Sequence, residues 1–201
     1  MPRLDDPIED RLKSRLKSRL KRPLYSQLGM TLLELMVVVA IAGILAAVAI
    51  PSFQTSIKNN RILSARDGLA VAIKVARNRA VTNNAWVSVC ASNNQSTCTG
   101  NGDWDAGWIV FDDPDQSGDR DTTDAAETLV DSQSSMGSLN IAAGSGIAFF
   151  TFARSGTKSP AGLQTIGVCD NETGSTIEGK AISVSTSGSV RYGSGSIAGC
   201  L

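Results

Sequence analysis

A single carboxylate stands inside a long apolar segment near the start of the chain. From Met30 to Ile50 there are 21 residues, and Glu34 is the only charged one. At about 1.5 Å of rise per residue, a helix of this length spans roughly 31 Å, the thickness of a bilayer core. A carboxylate there costs a few kcal/mol and so indicates a function with a charged partner. The partner we expect is a new amino terminus at Met30, which exists only after cleavage behind Gly29.

The segment before the glycine carries the charge that orients a membrane protein. Residues 1–29 contain eight Lys and Arg against four Asp and Glu, a net charge of +4. The basic residues cluster at 11–22, and basic segments beside a membrane span stay in the cytoplasm. A secretory signal is cut beyond its apolar core, whereas this glycine precedes the apolar run. Cleavage after Gly29 therefore leaves the membrane helix on the mature protein; an uncleaved signal anchor is the alternative.

The heptad that begins at Gly29, Gly-Met-Thr-Leu-Leu-Glu-Leu, resembles the type IV prepilin motif. In that family a membrane aspartyl peptidase cuts after the glycine and methylates the new amino terminus. The resemblance therefore implies cleavage after Gly29 and N-methylation of Met30. It also implies assembly into a filament, in which Glu34 neutralises the Met30 ammonium of its own or a neighbouring subunit. Methionine in place of the usual phenylalanine at the first mature position is a departure from the motif.

Two helical segments must position this motif. Residues 30–50 predict a transmembrane helix, and residues 51–82 continue it as an amphipathic helix. Pro51 removes a backbone donor, so we expect a kink near residues 47–51 that shapes the assembling helix. The apolar stripe of the second segment recurs at helical spacing and consists of Phe53, Ile57, Ile62, Ala65, Leu69, Ile73, Ala76 and Ala80.

From residue 85 the hydrophobic period changes to two, which predicts strands separated by Gly, Ser, Asn and Asp turns. The predicted strands are 85–91, 107–112, 147–153, 164–169, 180–186 and 188–192. We interpret Trp104 and Trp108 as aromatic residues of the sheet's core or rim. Together with the resemblance, this predicts an α+β, pilin-like fold, in which a long N-terminal helix packs on a mainly antiparallel β-sheet. The expected divisions are a removed leader at 1–29, the helix at 30–82 and a β-rich head at 83–201.

Four cysteines lie beyond the apolar segment, and the chain contains no histidine. An even number of cysteines in an exported domain indicates disulfides. Cys90 and Cys98 are eight residues apart, so we expect them to close a hairpin, while Cys169 and Cys200 tie the end of the chain to a strand. The sequence lacks histidine, CxxC and Gly-x-Ser-x-Gly, which disfavours a zinc site and nucleophilic catalysis. We predict that the chain is not an enzyme.

The head resembles the GspH/FimT branch of the pseudopilins. The resemblance rests on residues 76–80 before the first strand, on 104–111 before an acidic turn, and on the late segment 187–191. It implies a minor pilin or pseudopilin, a structural subunit of a type IV pilus or of a type II secretion pseudopilus in the bacterial inner membrane. The implied partners are a prepilin peptidase and methyltransferase, other pilins in the filament and an inner-membrane assembly platform. The unprocessed N-terminus is expected in the cytoplasm and the head in the periplasm.

An acidic loop follows the second predicted strand. Residues 113–124 offer oxygens at the spacing of an EF-hand calcium loop, with glycine at the sixth position. The twelfth position is Asp rather than the longer Glu, and strands rather than helices flank the loop, so a plain acidic hairpin is the alternative. No other cofactor is expected. The candidate calcium ligands are Asp113, Asp115, Ser117, Asp121 and Asp124.

DNA binding is the alternative function. Some FimT-type pilins bind DNA during natural transformation through a C-terminal Gly-Arg-x-Arg segment, and residues 188–191 of this chain keep only Arg191 of the two arginines. Lys180, Arg154 and Lys158 would add positive charge. Residues 83–201 nevertheless carry five basic and thirteen acidic groups, net −8, and phosphate binding needs several converging cations. We therefore interpret Arg191 as surface charge and keep DNA uptake as the second hypothesis.

Overall fold

A computed structural model describes residues 29–172 and 177–194, and these contain one long helix and nine strands. The helix α1 spans Leu32–Asn83 and begins where the sequence offers a capping box. The Thr31 hydroxyl accepts a hydrogen bond from the Glu34 N–H at 3.2 Å, which satisfies one free donor of the first turn. Beyond the last turn, Asn84 adopts a φ of 51°, a conformation that asparagine tolerates better than most residues.

The helix α1 continues through Pro51. Thr55 lies one helical turn after Pro51, and its hydroxyl donates a hydrogen bond of 3.2 Å to the Pro51 carbonyl. The chain divides into two compact units between Val48 and Ala49, so residues 49–83 of α1 belong with the strands. The kink that we expect at Pro51 stays a prediction. The removal of a leader also stays a prediction, because residues 1–28 lie outside the described ranges.

Two antiparallel sheets form the head, where the sequence predicted one. Their strands are β1 (Val87–Ala91), β2 (Gly107–Asp112), β3 (Leu129–Ser134), β4 (Leu139–Ala143), β5 (Phe149–Phe152), β6 (Lys158–Ser159), β7 (Gln164–Asp170), β8 (Lys180–Val184) and β9 (Val190–Ser194). The first sheet has the order β3-β2-β1-β5-β6 and the second the order β4-β7-β8-β9. Short 3-10 turns lie at Trp104–Ala106 and Gly144–Gly146.

One apolar core joins α1 to both sheets. Buried helix residues from Ile62 to Ala80 contact inward side chains of β1, β2 and β5 in the first sheet and of β4, β7 and β8 in the second. Trp104 and Trp108 are buried, as the sequence predicted. The head does not bury the first two members of the predicted apolar stripe, since Phe53 is 68% exposed and Ile57 is 38% exposed. The buried positions of α1 begin at Ile62, and Lys58, one turn earlier, contacts Asp170 and Glu172 of the head.

A smaller cluster covers the outer face of the first sheet. It consists of Cys90, Ile109 and Phe111, with Cys98 and Phe149 packed against it. The strands β1 and β2 are therefore buried on both faces, which explains why most of their residues are apolar and do not alternate with polar ones. The loops between β1 and β2 and between β2 and β3 hold the residues that the sequence marked as candidates for disulfide and calcium chemistry.

Candidate functional sites

The residues of the proposed processing site precede the helix. Gly29, Met30 and Thr31 are non-helical and exposed, and a Cβ placed on Gly29 would meet no atom within 4 Å. Glu34 is the third residue of α1, where a carboxylate interacts favourably with the positive end of the helix dipole. The sequence analysis counted Thr31 in the motif but did not predict that it caps the helix, although the Thr-x-x-Glu spacing was visible. The peptide bond between Gly29 and Met30, at which cleavage is predicted, thus lies exposed directly before a capped helix start.

The amino-terminal half of α1 exposes a long, mainly apolar surface. Every residue from Thr31 to Ile57 is exposed, and α1 is long and apolar enough to cross a membrane by length and composition. Such a surface requires lipid or another protein to cover it. Its large exposed side chains include Leu32, Leu33, Leu35, Met36, Val37, Val38, Val39, Ile41, Ile44, Leu45, Val48 and Ile50.

The acidic loop is organised around a buried carboxylate. Asp113 is fully buried and accepts hydrogen bonds from the Ser88 hydroxyl on β1 and from the N–H groups of Ser117 and Gly118, both at 3.1 Å. Burial raises the pKa of Asp113, although the Ser88 hydrogen bond opposes the shift. Asp115 is exposed, and the Ser117 N–H lowers its pKa. The buried carboxylate fixes the loop to the sheet beneath it.

Glu127 joins this carboxylate pair, which the sequence did not predict. One oxygen each of Asp113, Asp115 and Glu127 lie within 4.8 Å of one another. Glu127 is 2% exposed, and burial raises its pKa. Its carboxylate accepts the Asp121 N–H at 2.5 Å. The sequence could have indicated Glu127, because it is an acidic residue only three positions after the end of the loop 113–124.

The other predicted calcium ligands serve the loop's own turns. The Asp121 carboxylate accepts hydrogen bonds from Thr123, which lower its pKa, and the Asp124 carboxylate accepts the Ala126 N–H at 2.8 Å. The Ser117 hydroxyl donates to the Asp119 carbonyl at 2.8 Å. The loop therefore gathers three carboxylates, of which only Asp113 and Asp115 belong to the predicted set. Calcium binding stays a prediction, and the three-carboxylate cluster is where it would be tested.

The predicted disulfide between Cys90 and Cys98 is present and connects β1 to the following loop. Arg120 joins that loop to the acidic loop, because its guanidinium donates to the Ser96 carbonyl at 2.8 Å and to the Glu127 carbonyl at 3.2 Å. The second predicted pair, Cys169–Cys200, includes a residue outside the described ranges and stays a prediction.

The four cations of the DNA hypothesis do not converge. Lys158 is buried, its pKa is lowered by burial, and its ammonium donates to the Pro160 carbonyl above the Phe150 ring. Lys180 forms an ion pair with Glu178 at 3.0 Å.

The strand register separates the remaining cations. Lys180 of β8 pairs with Ser194 of β9, three residues from Arg191, so the lysine and Arg191 point to opposite faces of the sheet. Arg154 is exposed in the first sheet's β5–β6 turn. The register thus places Lys180 and the exposed Arg191 on different faces of the second sheet, so the four cations that the hypothesis named do not form one cluster.

Two arginines of α1 that sequence reasoning left without a role tie the helix to the head. The guanidinium of Arg79 donates two hydrogen bonds of 2.6 Å to Asp112 at the end of β2, and this contact raises the pKa of Arg79. Arg77 Nε donates to the carbonyls of Gly156 and Ser187, at 3.1 and 3.2 Å. Both residues lie in the segment 76–80 on which the family resemblance rests.

Comparisons with known proteins agree with this architecture. Residues 65–188 match the family described as Type II transport protein GspH, and residues 24–50 match the prokaryotic N-terminal methylation motif. A fimbrial protein of Moraxella nonliquefaciens is 46% identical over 55 residues, which are 26% of this chain and 36% of that protein. The chain thus aligns with little more than a third of that relative's length.

Two solved structures of minor pilins and pseudopilins resemble this chain to different degrees. The type IV minor pilin FimU of Pseudomonas aeruginosa superposes with a TM-score of 0.50 at 22% identity, over 66% of this chain and 87% of that chain. The minor pseudopilin EpsH from the type 2 secretion system of Vibrio cholerae gives a TM-score of 0.43 at 10% identity, over 65% and 93% of the two chains. The FimU match confirms the predicted pilin-like α+β fold.

Proposed function

The chain belongs to the GspH family, and from that premise we propose that it is a minor pilin or pseudopilin that enters a filament through α1. The observation that carries the proposal is the exposed apolar surface of residues 30–50, which contains Glu34 as its only charge. A globular head with its own core does not need this segment. Its burial must come from a membrane before assembly and from neighbouring helices afterwards.

The proposed mechanism begins with processing. Prepilin peptidase cuts after Gly29 and methylates Met30, which creates a cation one helical turn from the Glu34 carboxylate. In the apolar filament core, either charge alone carries a desolvation cost of several kcal/mol, whereas the pair offsets much of it. A subunit is therefore held only at the axial position where the carboxylate and an ammonium meet.

The proposal includes the location and the partners. The basic leader stays in the cytoplasm, α1 spans the inner membrane, and the head lies in the periplasm. The partners are other pilins or pseudopilins and an inner-membrane assembly platform, in a type IV pilus or a type II secretion pseudopilus. A structural rather than catalytic role is supported by the complete absence of histidine from the sequence.

Replacement of Glu34 by alanine tests this mechanism. We expect the variant to insert into the membrane and to be cleaved, but to be lost from sheared filaments by at least about tenfold, since an unpaired buried charge costs several kcal/mol. The matched control is Asp105→Ala, which removes an exposed carboxylate of the head. Mass spectrometry of the mature N-terminus verifies processing in both variants. Incorporation of Glu34→Ala at the wild-type level would contradict the proposal.

A further inference from the structure

A polar cleft lies where α1 ends beside the first sheet. Val87 of β1 is opposite both Asp112 of β2 and Phe152 of β5, so the ends of these three strands are level. The cleft has a volume of about 330 Å³, at the lower end of the range for small-molecule sites. The side chains that line it include Asn83, Asn84, Trp86, Asp112, Pro114 and Arg154.

Most of the hydrogen-bonding capacity of this cleft is not used by the fold. Among the described residues, the side chains of Asn83, Asn84, Trp86 and Arg154 have no hydrogen-bond partner. The residues that line this one concave surface thus include two amides, an indole and a guanidinium, groups that can both donate and accept hydrogen bonds. Polar groups that converge on a cavity without bonding to one another are the usual means of orienting a polar ligand.

The backbone around the cleft is held in place before any ligand arrives. The Ala85 N–H donates to the Ala80 carbonyl at 3.1 Å, and the Asp113 N–H donates to the Trp86 carbonyl at 2.9 Å. These bonds fix the turn that presents Asn84 and Trp86. A preformed site avoids much of the ordering cost of binding.

The charges of the cleft exclude ions of either sign. Asp112 is neutralised by the two hydrogen bonds from Arg79, so it offers little attraction to a cation, and Arg154 repels one. An anion would be attracted to Arg154 but repelled by the head as a whole, since residues 83–201 carry a net charge of −8. The ligand that fits this surface is neutral and rich in hydrogen-bonding groups.

We propose that this cleft binds a neutral sugar residue. The apolar C–H face of a sugar ring packs on the Trp86 indole, which combines a large apolar surface with a polar N–H. Sugar hydroxyls donate and accept, so they pair with the amides of Asn83 and Asn84 and with the Arg154 guanidinium. This site is independent of filament assembly through α1, and either proposal can fail alone.

Saturation-transfer difference NMR on the full chain tests the proposal. The protein is placed in lipid nanodiscs, because glycoside detergents would compete for the site. The probes are N-acetylglucosamine, galactose and glucose, with glucuronate as the anionic comparison. We expect saturation transfer to at least one neutral sugar at millimolar concentration and weaker transfer to glucuronate.

Two variants locate the site. Arg154→Ala removes the guanidinium, and Asn84→Gly removes an amide without strain, because glycine accepts the positive φ of residue 84. Each should weaken binding about tenfold, the upper end for one hydrogen bond. The matched controls Arg191→Ala and Asn78→Ala change exposed residues outside the cleft and should leave binding unchanged.

Three outcomes would overturn the inference. If no neutral sugar shows saturation transfer, the cleft does not bind sugars. If glucuronate binds more tightly than the neutral sugars, the cleft prefers an anion and the proposed preference for a neutral ligand is wrong. Unchanged affinity in both cleft variants, with near-ultraviolet circular dichroism equal to that of wild type, shows that the sugar binds elsewhere.

Discussion

Gly188 shows how a single residue fixes the contact between helix and head. Its φ is 74°, and a Cβ at this position would lie 2.5 Å from the Gly156 carbonyl oxygen and 2.6 Å from Arg77 Cδ. The same arginine donates hydrogen bonds to the carbonyls of Gly156 and Ser187. The glycine that the family resemblance marked beside Arg191 therefore makes room for Arg77, which is a structural role.

Replacement of Gly188 by alanine should destabilise the head by more than about 2 kcal/mol. The left-handed conformation alone costs a non-glycine residue about 1–2 kcal/mol, and the clash with backbone adds to it. Thermal unfolding of the full chain, followed by near-ultraviolet circular dichroism, measures the effect. Gly137→Ala is the matched control, because Gly137 has a φ of 58° but no atom within 4 Å of its Cβ position. Equal melting temperatures for the two variants would show that the close packing carries no cost.

At the scale of elements, the acidic loop depends on contacts distant in sequence. Asp113 reaches back to Ser88 on β1, and Arg120 bonds to the loop that Cys98 closes. A Cβ on Gly118 would lie 2.2 Å from the Phe149 ring. The loop is thus held on the outer face of the first sheet by a buried carboxylate, a guanidinium and an aromatic contact.

The buried carboxylate predicts a pH dependence of stability. Because burial raises the pKa of Asp113, the folded protein holds this proton at pH values where the unfolded chain has lost it. The free energy of unfolding therefore falls as the pH rises from about 4, the ordinary value, through the raised pKa. The Asp113→Asn variant has no carboxyl at this position and so lacks this pH-dependent loss of stability. The melting temperature of the variant minus that of wild type should therefore increase between about pH 4 and about pH 7.

The control for this pH series is Asp119→Asn, which changes an exposed carboxylate of the same loop. Its melting temperature should run parallel to that of wild type across the series. A constant difference between Asp113→Asn and wild type at every pH would exclude the linkage.

Sequence patterns predicted the elements with strong local signals and missed those without them. The helix was predicted at 30–82 and observed at Leu32–Asn83, because composition and periodicity persist over its whole length. The sequence missed three strands: β3, an exposed edge with the polar sequence Leu-Val-Asp-Ser-Gln-Ser; β4, a five-residue edge strand; and β6, which has only two residues. Glu127 entered the acidic cluster through folding of the loop, which residue spacing alone did not show.

At the scale of the whole molecule, opposite charges are partly paired within one subunit. Residues 52–82 carry net +5 and residues 83–201 carry net −8. Arg79 forms an ion pair with Asp112. The Lys58 ammonium lies 3.4 Å from the Asp170 carboxylate and also contacts Glu172, and its hydrogen bond to Glu172 raises the pKa of Lys58. These pairs attach the helix to the head, so only the remaining charges are available to neighbouring subunits.

The division between Val48 and Ala49 predicts that residues 49–201 fold without the membrane-length segment. All described core residues lie at or beyond Ile62, and every described residue up to Ile57 is exposed. A chain that begins at Ala49 should therefore unfold cooperatively, with a melting temperature within about 2 °C of the full chain, a difference of about 1 kcal/mol or less.

A second truncation, which begins at Ser64, is the control for this experiment. It removes Ile62 from the core and Lys58 from its contacts with Asp170 and Glu172. Loss of one buried isoleucine costs about 2 kcal/mol, so we expect a melting temperature roughly 4–8 °C lower. If the chain that begins at Ala49 is instead insoluble or melts as low as the shorter one, the apolar segment contributes to the folding of the head, and the head is not an independent unit.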